Sequence, residues 1–170
     1  MFKVLKDKAF VKKFFSLAFP VMIQALIGLT VNFVDNLMVG GLTNEAVSAV
    51  YAVNQGTFFF IVISYGIVSG AGIYVQQFFG AKDDDHLRQS VRYKILAVTL
   101  LLAVFLPLFF FGGSTLIGFY TRSATNAQEI LRLGMQYLPI ILLSLIPMAY
   151  TTVYATTFRE TGKTIYPLIT

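Results

Sequence analysis

The sequence has few charged residues and no cysteine, and each shortage excludes a class of protein. Only 12% of its 170 residues are charged, whereas a soluble domain carries about 25%. So few charged groups could not cover the surface of a soluble domain of this size. The absence of cysteine excludes disulfides and thiolate metal sites. No Ser/His/Asp, Walker or metal-ligand pattern is present either, so we expect neither an enzyme nor a cofactor.

Apolar residues make up 56% of the chain and fall into four long runs bounded by glycine or charge. The predicted membrane spans cover about residues 14–39, 46–79, 91–112 and 127–158. Strands of a membrane β-barrel would be alternating segments of about 10 residues, so these runs predict helices. The fold class is therefore an all-α polytopic membrane protein with four transmembrane helices. A fifth span begins near residue 164, and since a span cannot end inside the bilayer, we expect the chain to be a fragment.

The net charge of +5 is distributed unevenly along the chain. Eleven of the thirteen basic residues lie in the N-terminal arm, in a predicted loop over 80–94 that includes Lys94, and in the turn over 159–163. The loop over 113–132 holds the other two, Arg122 and Arg132. Basic residues concentrate on the cytoplasmic side of membrane proteins. The pattern predicts a multi-pass protein of the cytoplasmic (inner) membrane with a cytoplasmic N-terminus, and a lipid bilayer rather than nucleic acid as its partner.

Asp35 is the one acidic residue inside an apolar run that does not lie in a loop or at the start of a predicted helix. An aspartate at the centre of a spanning helix costs about 2.5–3.5 kcal/mol to insert and usually marks an ion or substrate pathway. Gln24, Gly28, Asn32 and Asp35 follow at spacings of 4, 4 and 3 and therefore share one helix face. This polar stripe predicts a carboxylate that takes up and releases a proton. The alternative is that Asp35, near the end of its span, meets water at the outer interface.

Two other spans also carry polar residues at helical spacing. One stripe in the second span consists of Tyr65, Ser69, Gly72 and Gln76, and one in the fourth consists of Tyr137, Ser144 and Thr151. Each stripe could line a cavity or form hydrogen bonds with neighbouring helices. Gly66 and Gly70 form a G-x-x-x-G motif, which indicates close helix packing. Pro20 permits bending of the first helix, and Pro139 and Pro147 do so in the fourth.

The segment 82–88 combines acidic and basic residues around the single histidine. We expect His86 to be a solvated loop residue. Asp83, Asp84 and Asp85 are predicted to cap or begin the next helix, where negative charge suits the helix dipole.

Three short motifs in order resemble those of the multidrug and toxic compound extrusion (MATE) transporters. Pro20 followed by Val-Asp-Asn-Leu-Met-Val-Gly over 34–40 is similar to that family's first helix. Gln-Phe-Phe-Gly-Ala over 77–81 resembles its step out of the second helix. Arg-Glu-Thr-Gly-Lys-Thr over 159–164, with Pro167 after it, resembles its turn between helices four and five.

The resemblance implies a larger fold and an activity. It implies twelve helices in two six-helix lobes, of which this chain supplies the first part of the N-lobe. It also implies antiport, in which drugs or other amphiphilic, often cationic compounds leave in exchange for H⁺ or Na⁺. Asp35, with Asn32, would be the cation or proton site, completed by the remaining helices of the full-length transporter. Pro20 would be the hinge of helix one.

Two alternatives were left open by the residues. A flippase of the same superfamily that moves lipid-linked sugars would need arginine or lysine in its cavity for a pyrophosphate, and we expect none inside the apolar runs. A truncated, non-transporting membrane subunit is the other alternative, and it would be distinguished by whether the reading frame continues.

Overall fold

The computed structural model describes residues 8–122, 124 and 126–169, and in these ranges the chain is helical with no strand. The five helices are α1 (Lys8–Gly40), α2 (Asn44–Ala81), α3 (Asp84–Thr121), α4 (Ala127–Glu160) and α5 (Tyr166–Ile169). Each of the first four contains one of the predicted spans and extends beyond it. The four are long and apolar enough to cross a membrane. The expected all-α, polytopic membrane fold is confirmed.

Local sequence explains where the helices begin and end. Thr43 caps α2, because its hydroxyl accepts a hydrogen bond from the Ala46 N–H at 3.3 Å. Asp83 caps α3 in the same way by accepting from the His86 N–H at 3.2 Å. Beyond α4, Gly162 has φ +75°, a left-handed conformation that glycine adopts without steric cost. This glycine closes the turn in which the Lys163 N–H donates to the Phe158 carbonyl.

The cap at Asp83 also depends on pH. The hydrogen bond from the His86 N–H, and next the bond with the His86 side chain, lower the pKa of the Asp83 carboxyl. A lowered pKa means that the cap stabilises the protein above the ordinary aspartate range and is lost as the pH falls through the lowered value.

The packed core lies between α2, α3 and α4. Its buried side chains recur every three or four residues, as expected for one face of each helix. Phe60 of α2 packs on Phe105 of α3 with ring centroids 5.1 Å apart, and Phe105 stacks on Phe109 at the same distance. Gly56 gives Phe109 its space, because a Cβ there would lie 1.8 Å from the Phe109 Cζ. The three helices therefore approach closely through matched large and small residues.

Helix α1 lies at the edge of this three-helix core. It packs against α2 and the short α5, and in the part of the chain that the structure describes its backbone does not reach packing distance of α3 or α4. Pro20 is the one buried residue recorded in α1. The remainder of the helix presents large apolar side chains outward, among them Phe33 and Leu37. Such surfaces suit contact with lipid or with further helices rather than water.

Two predicted loops are shorter in the structure. The predicted 80–94 loop is reduced to Lys82 and Asp83 between α2 and α3. The prediction that His86 lies in a loop is therefore wrong: it is in the first turn of α3, stacked on Phe78 at 5.2 Å. At the other end, α3 continues to Thr121 and Arg132 belongs to α4. Apolar runs underestimate helix length because a spanning helix continues with polar residues beyond the hydrocarbon.

Candidate coupling site and the α4 junction

The polar stripe of α1 is open along its outer half. Asp35 and Asn32 are both exposed, and neither side chain contacts a polar side chain of another described helix at hydrogen-bond distance. The Asn32 carbonyl instead accepts from the Asn36 side chain at 2.8 Å within the same helix. Gly28 is also uncovered, since a Cβ there would meet nothing within 4 Å.

Asp35 is opposite one of the predicted polar residues of α4. The Tyr137 side chain is half-buried and lies within Coulombic range of the Asp35 carboxylate. Because Tyr137, Ser144 and Thr151 repeat every seven residues, they share one face of α4. Both Ser144 and Thr151 are exposed there.

The predicted stripe of α2 is divided in the structure. Tyr65, Ser69 and Gln76 are exposed, while Gly72 is buried. Tyr65 contacts α4 at a small cavity of about 10 Å³, whose lining includes Met148 and Thr152. The exposed members thus lie on the α4 side of α2.

Gln24, at the inner end of the α1 stripe, is not free to line a cavity. Its side-chain amide donates to the Pro167 carbonyl at 2.7 Å, and its oxygen accepts from the Arg159 guanidinium. The contact with Arg159 anchors α1 to the end of α4, and the hydrogen bond to Pro167 anchors it to α5. The amide therefore acts as a bridge between three helices.

Lys94 and Glu160 form a buried ion pair that the sequence did not reveal. Lys94 is fully buried in α3, and its Nζ lies 2.7 and 2.8 Å from the two carboxylate oxygens of Glu160. The hydroxyls of Thr156 and Thr157 accept at 3.2 and 3.4 Å. The predictions that Lys94 is a loop residue and that no lysine lies inside the apolar runs are wrong. One signal was present: Lys94, Val98 and Leu102 are spaced by four, which places Lys94 on the buried face of α3.

The glycines of α2 show which part of that helix packs against the Lys94–Glu160 pair. A Cβ at Gly72 would lie 2.1 Å from Glu160 Oε1, so only glycine leaves room for the carboxylate against α2. By contrast, a Cβ at Gly66 or Gly70 would meet nothing within 4 Å. The predicted close packing at the G-x-x-x-G motif is therefore wrong within the described residues, and Gly72 is the close-packing glycine at this end of α2.

Arg159 and Glu160 together join all five helices. We call this group, with Gln24, Lys94 and the Pro167 carbonyl, the α4 junction. Glu160 holds α3 and packs on α2, whereas Arg159 holds α1, which in turn holds α5. The Arg159 Nε is buried without a hydrogen-bond partner in the described structure. At the opposite end Asn126 donates to the Glu45 carboxylate at 2.6 Å, and among the described residues no ion pair joins α1 to α4 there.

The fold and this arrangement define a multi-pass helical membrane protein whose first spanning helix carries an exposed carboxylate. Among the described residues no group of three histidine or acidic side chains could hold a metal ion. The family model MatE matches residues 20–170. The chain belongs to this family and is a MATE-type transporter. The searches of curated proteins and of solved structures gave no match. Membership in a family of transporters agrees with the expectation that the chain is not an enzyme.

Proposed function

We propose that the protein is a secondary antiporter that exports drugs or other amphiphilic, often cationic compounds in exchange for H⁺ or Na⁺. Membership in the MATE family supports transport, and the position of Asp35 supports ion coupling. Among the described residues, Asp35 is the only acidic one more than four residues from either end of a spanning helix. Carboxylates at such positions are retained for ion or proton pathways.

The coupling step we propose is a change of charge at Asp35. Protonation or Na⁺ binding would neutralise the carboxylate, with Asn32 one turn away and Tyr137 opposite as its polar neighbours. Both alternatives need the oxygen or hydroxyl groups that these side chains carry. Further ligands would come from the remaining helices of the six-helix N-lobe, of which α5 is the next element.

The contacts of α1 suggest how that change could move the helix. Its inner part is held at the buried Pro20 and at Gln24, which is bonded to α4 and α5. The part beyond Gln24 is exposed and carries Asp35. Pro20 lacks the N–H that would support the preceding turn. We propose that neutralisation of Asp35 lets the outer part of α1 bend about this anchored segment and reduce the N-lobe cavity.

The proposal is tested by Asp35→Asn in the full-length transporter. We expect ion-driven efflux of a fluorescent cation from proteoliposomes to fall to background, because an amide cannot carry the exchanged charge. Separate imposed gradients of H⁺ and Na⁺ identify the coupling ion. Asp85→Asn, at the exposed start of α3, is the matched control and should transport normally. Undiminished ion-driven efflux by Asp35→Asn would refute the assignment.

A further inference from the structure

A groove lies between α2 and α3. It opens next to the loop that joins the two helices and encloses about 390 Å³. Tyr74 and Phe78 of α2 form one wall, and Tyr93 of α3 forms the other. His86 and Gln89 lie at the end nearest the loop. None of these residues belongs to the α4 junction or to the polar stripe of α1.

The groove exists because Gly70 has no side chain. Gly70 lies on its floor, and a Cβ there would meet nothing within 4 Å. The walls stand well out from the helices, with Tyr74 59% and Tyr93 68% exposed. The result is an apolar groove on an outward surface, with an aromatic side chain on each wall.

The positively charged side chain of Arg92 lies beside the apolar groove. A second cavity of about 410 Å³ adjoins the groove at Gln89 and Tyr93 and is lined by Arg92. The Arg92 guanidinium is exposed and pairs with no carboxylate among the described residues. This differs from Lys94, two residues further on, whose charge is neutralised by Glu160. Arg92 therefore offers an uncompensated positive charge beside the groove.

The position along α3 agrees with the boundary of the membrane. Within the predicted span over 91–112, the uncharged apolar stretch of α3 begins at Ile95, directly after Arg92, Tyr93 and Lys94. Tyrosine and arginine concentrate where hydrocarbon meets the headgroups, and an arginine there directs its charge outward along its apolar stem. A ligand in the groove would thus have its apolar part below this boundary and its polar part level with Arg92.

We propose that the groove between α2 and α3 binds one bilayer glycerophospholipid, with an acyl chain over Gly70 between Tyr74 and Tyr93. Its phosphate contacts Arg92, with Gln89 as a further hydrogen-bond donor. Arginine recognises phosphate through its forked N–H groups, which gives the polar end its specificity. The alternative occupant, a segment of the transporter outside this chain, is decided by the experiments below.

Retention of lipid by the full-length transporter is measured by native mass spectrometry after detergent exchange. Added phosphatidylglycerol should bind to the wild type, whereas diacylglycerol with the same acyl chains should bind much less. Inorganic phosphate should not compete, because it lacks the chain that fills the groove. Equal retention of both lipids, or displacement by inorganic phosphate, would overturn the proposal.

Two pairs of variants locate the bound lipid. Arg92→Gln should weaken retention by about fivefold, the effect of one basic residue at a membrane surface, while Arg88→Gln should not change it. Gly70→Leu should fill the groove and remove the bound lipid. Gly66→Leu, one turn away and equally open, should not. Equal effects within either pair would contradict the site.

Photo-crosslinking identifies the occupant without altering the charge. A benzoylphenylalanine replacing Tyr93 should give a phospholipid adduct that survives delipidation before irradiation. The same label at Leu100, also exposed on α3, should lose its adducts on delipidation. A crosslink from position 93 to another segment of the protein, or no adduct there, would overturn the proposal.

Discussion

The charged residues of this protein differ mainly in whether they form an ion pair with an opposite charge. Lys94 is fully buried and bonded by both oxygens of Glu160, whereas Arg92 is exposed and unpaired and Asp35 lies open on α1. A buried charge is tolerated only when it is paired and hydrogen-bonded. The paired residues therefore belong to the architecture, and the unpaired ones are those for which we propose ligands.

The α4 junction yields a prediction about stability. Glu160→Gln leaves the Lys94 ammonium buried without a counter-charge, which should destabilise the full-length protein by about 3 kcal/mol. Thermal unfolding in detergent measures the loss. The double variant Lys94→Met with Glu160→Gln should recover much of it, since no buried charge remains.

An exposed ion pair provides the control for this prediction. Glu129 pairs with Arg132 at 2.6 Å, with side chains 47% and 57% exposed. Glu129→Gln should leave the melting temperature unchanged, because solvent screens such pairs. If the double variant Lys94→Met with Glu160→Gln is no more stable than Glu160→Gln alone, the loss of stability does not come from the unpaired charge of Lys94.

At the scale of helices, close approach is set by a few glycines rather than by the most evident motif. Gly56 and Gly72 of α2 accept Phe109 and Glu160, and Gly113 of α3 accepts Leu138, with a Cβ-to-side-chain distance of 2.6 Å. The G-x-x-x-G pair of the same helix faces an open surface. The sequence spacing alone cannot tell which glycines pack closely, because the glycines of both kinds recur at helical spacing.

Alanine at two glycines of α2 tests this distinction. Gly72→Ala should destabilise the protein by about 1–3 kcal/mol, the usual cost of overpacking, because the Cβ displaces the Glu160 carboxylate from Lys94. Gly66→Ala should be neutral or slightly stabilising, since alanine favours helix. The melting temperatures of the two variants are compared with the wild type. Equal losses in both would contradict the packing described here.

Over the whole molecule, the basic residues and the α4 junction lie at the same end. The basic residues gather at the end where the α4 junction ties α1, α3, α4 and α5 together. At the other end α1 carries Asp35 on an exposed face, and among the described residues its backbone does not reach packing distance of α3 or α4. A bundle anchored at one end and open at the other suits a helix that moves about its anchored part.

The orientation of this bundle is open to direct test. We expect the end with the α4 junction to be cytoplasmic, since it holds nine of the eleven basic residues in the described part of the chain. Because the chain has no cysteine, single cysteines can be introduced without background from this region. Leu42→Cys, between α1 and α2, should react with an impermeant maleimide in intact cells, and Lys82→Cys only after permeabilisation. The reverse pattern would invert the topology.

The sequence by itself determined the class of fold, because lipid as solvent demands long apolar helices whose backbone bonds are internal. It also determined the family, through motifs that lie at helix ends, and it singled out Asp35. Only the tertiary structure decided which polar residues are paired. Lys94 reads as one basic residue among four near a loop, and its burial depends on Glu160, which is 66 positions away. Contacts between distant residues leave no local pattern, so neither the α4 junction nor the groove beside Arg92 could be predicted from the sequence.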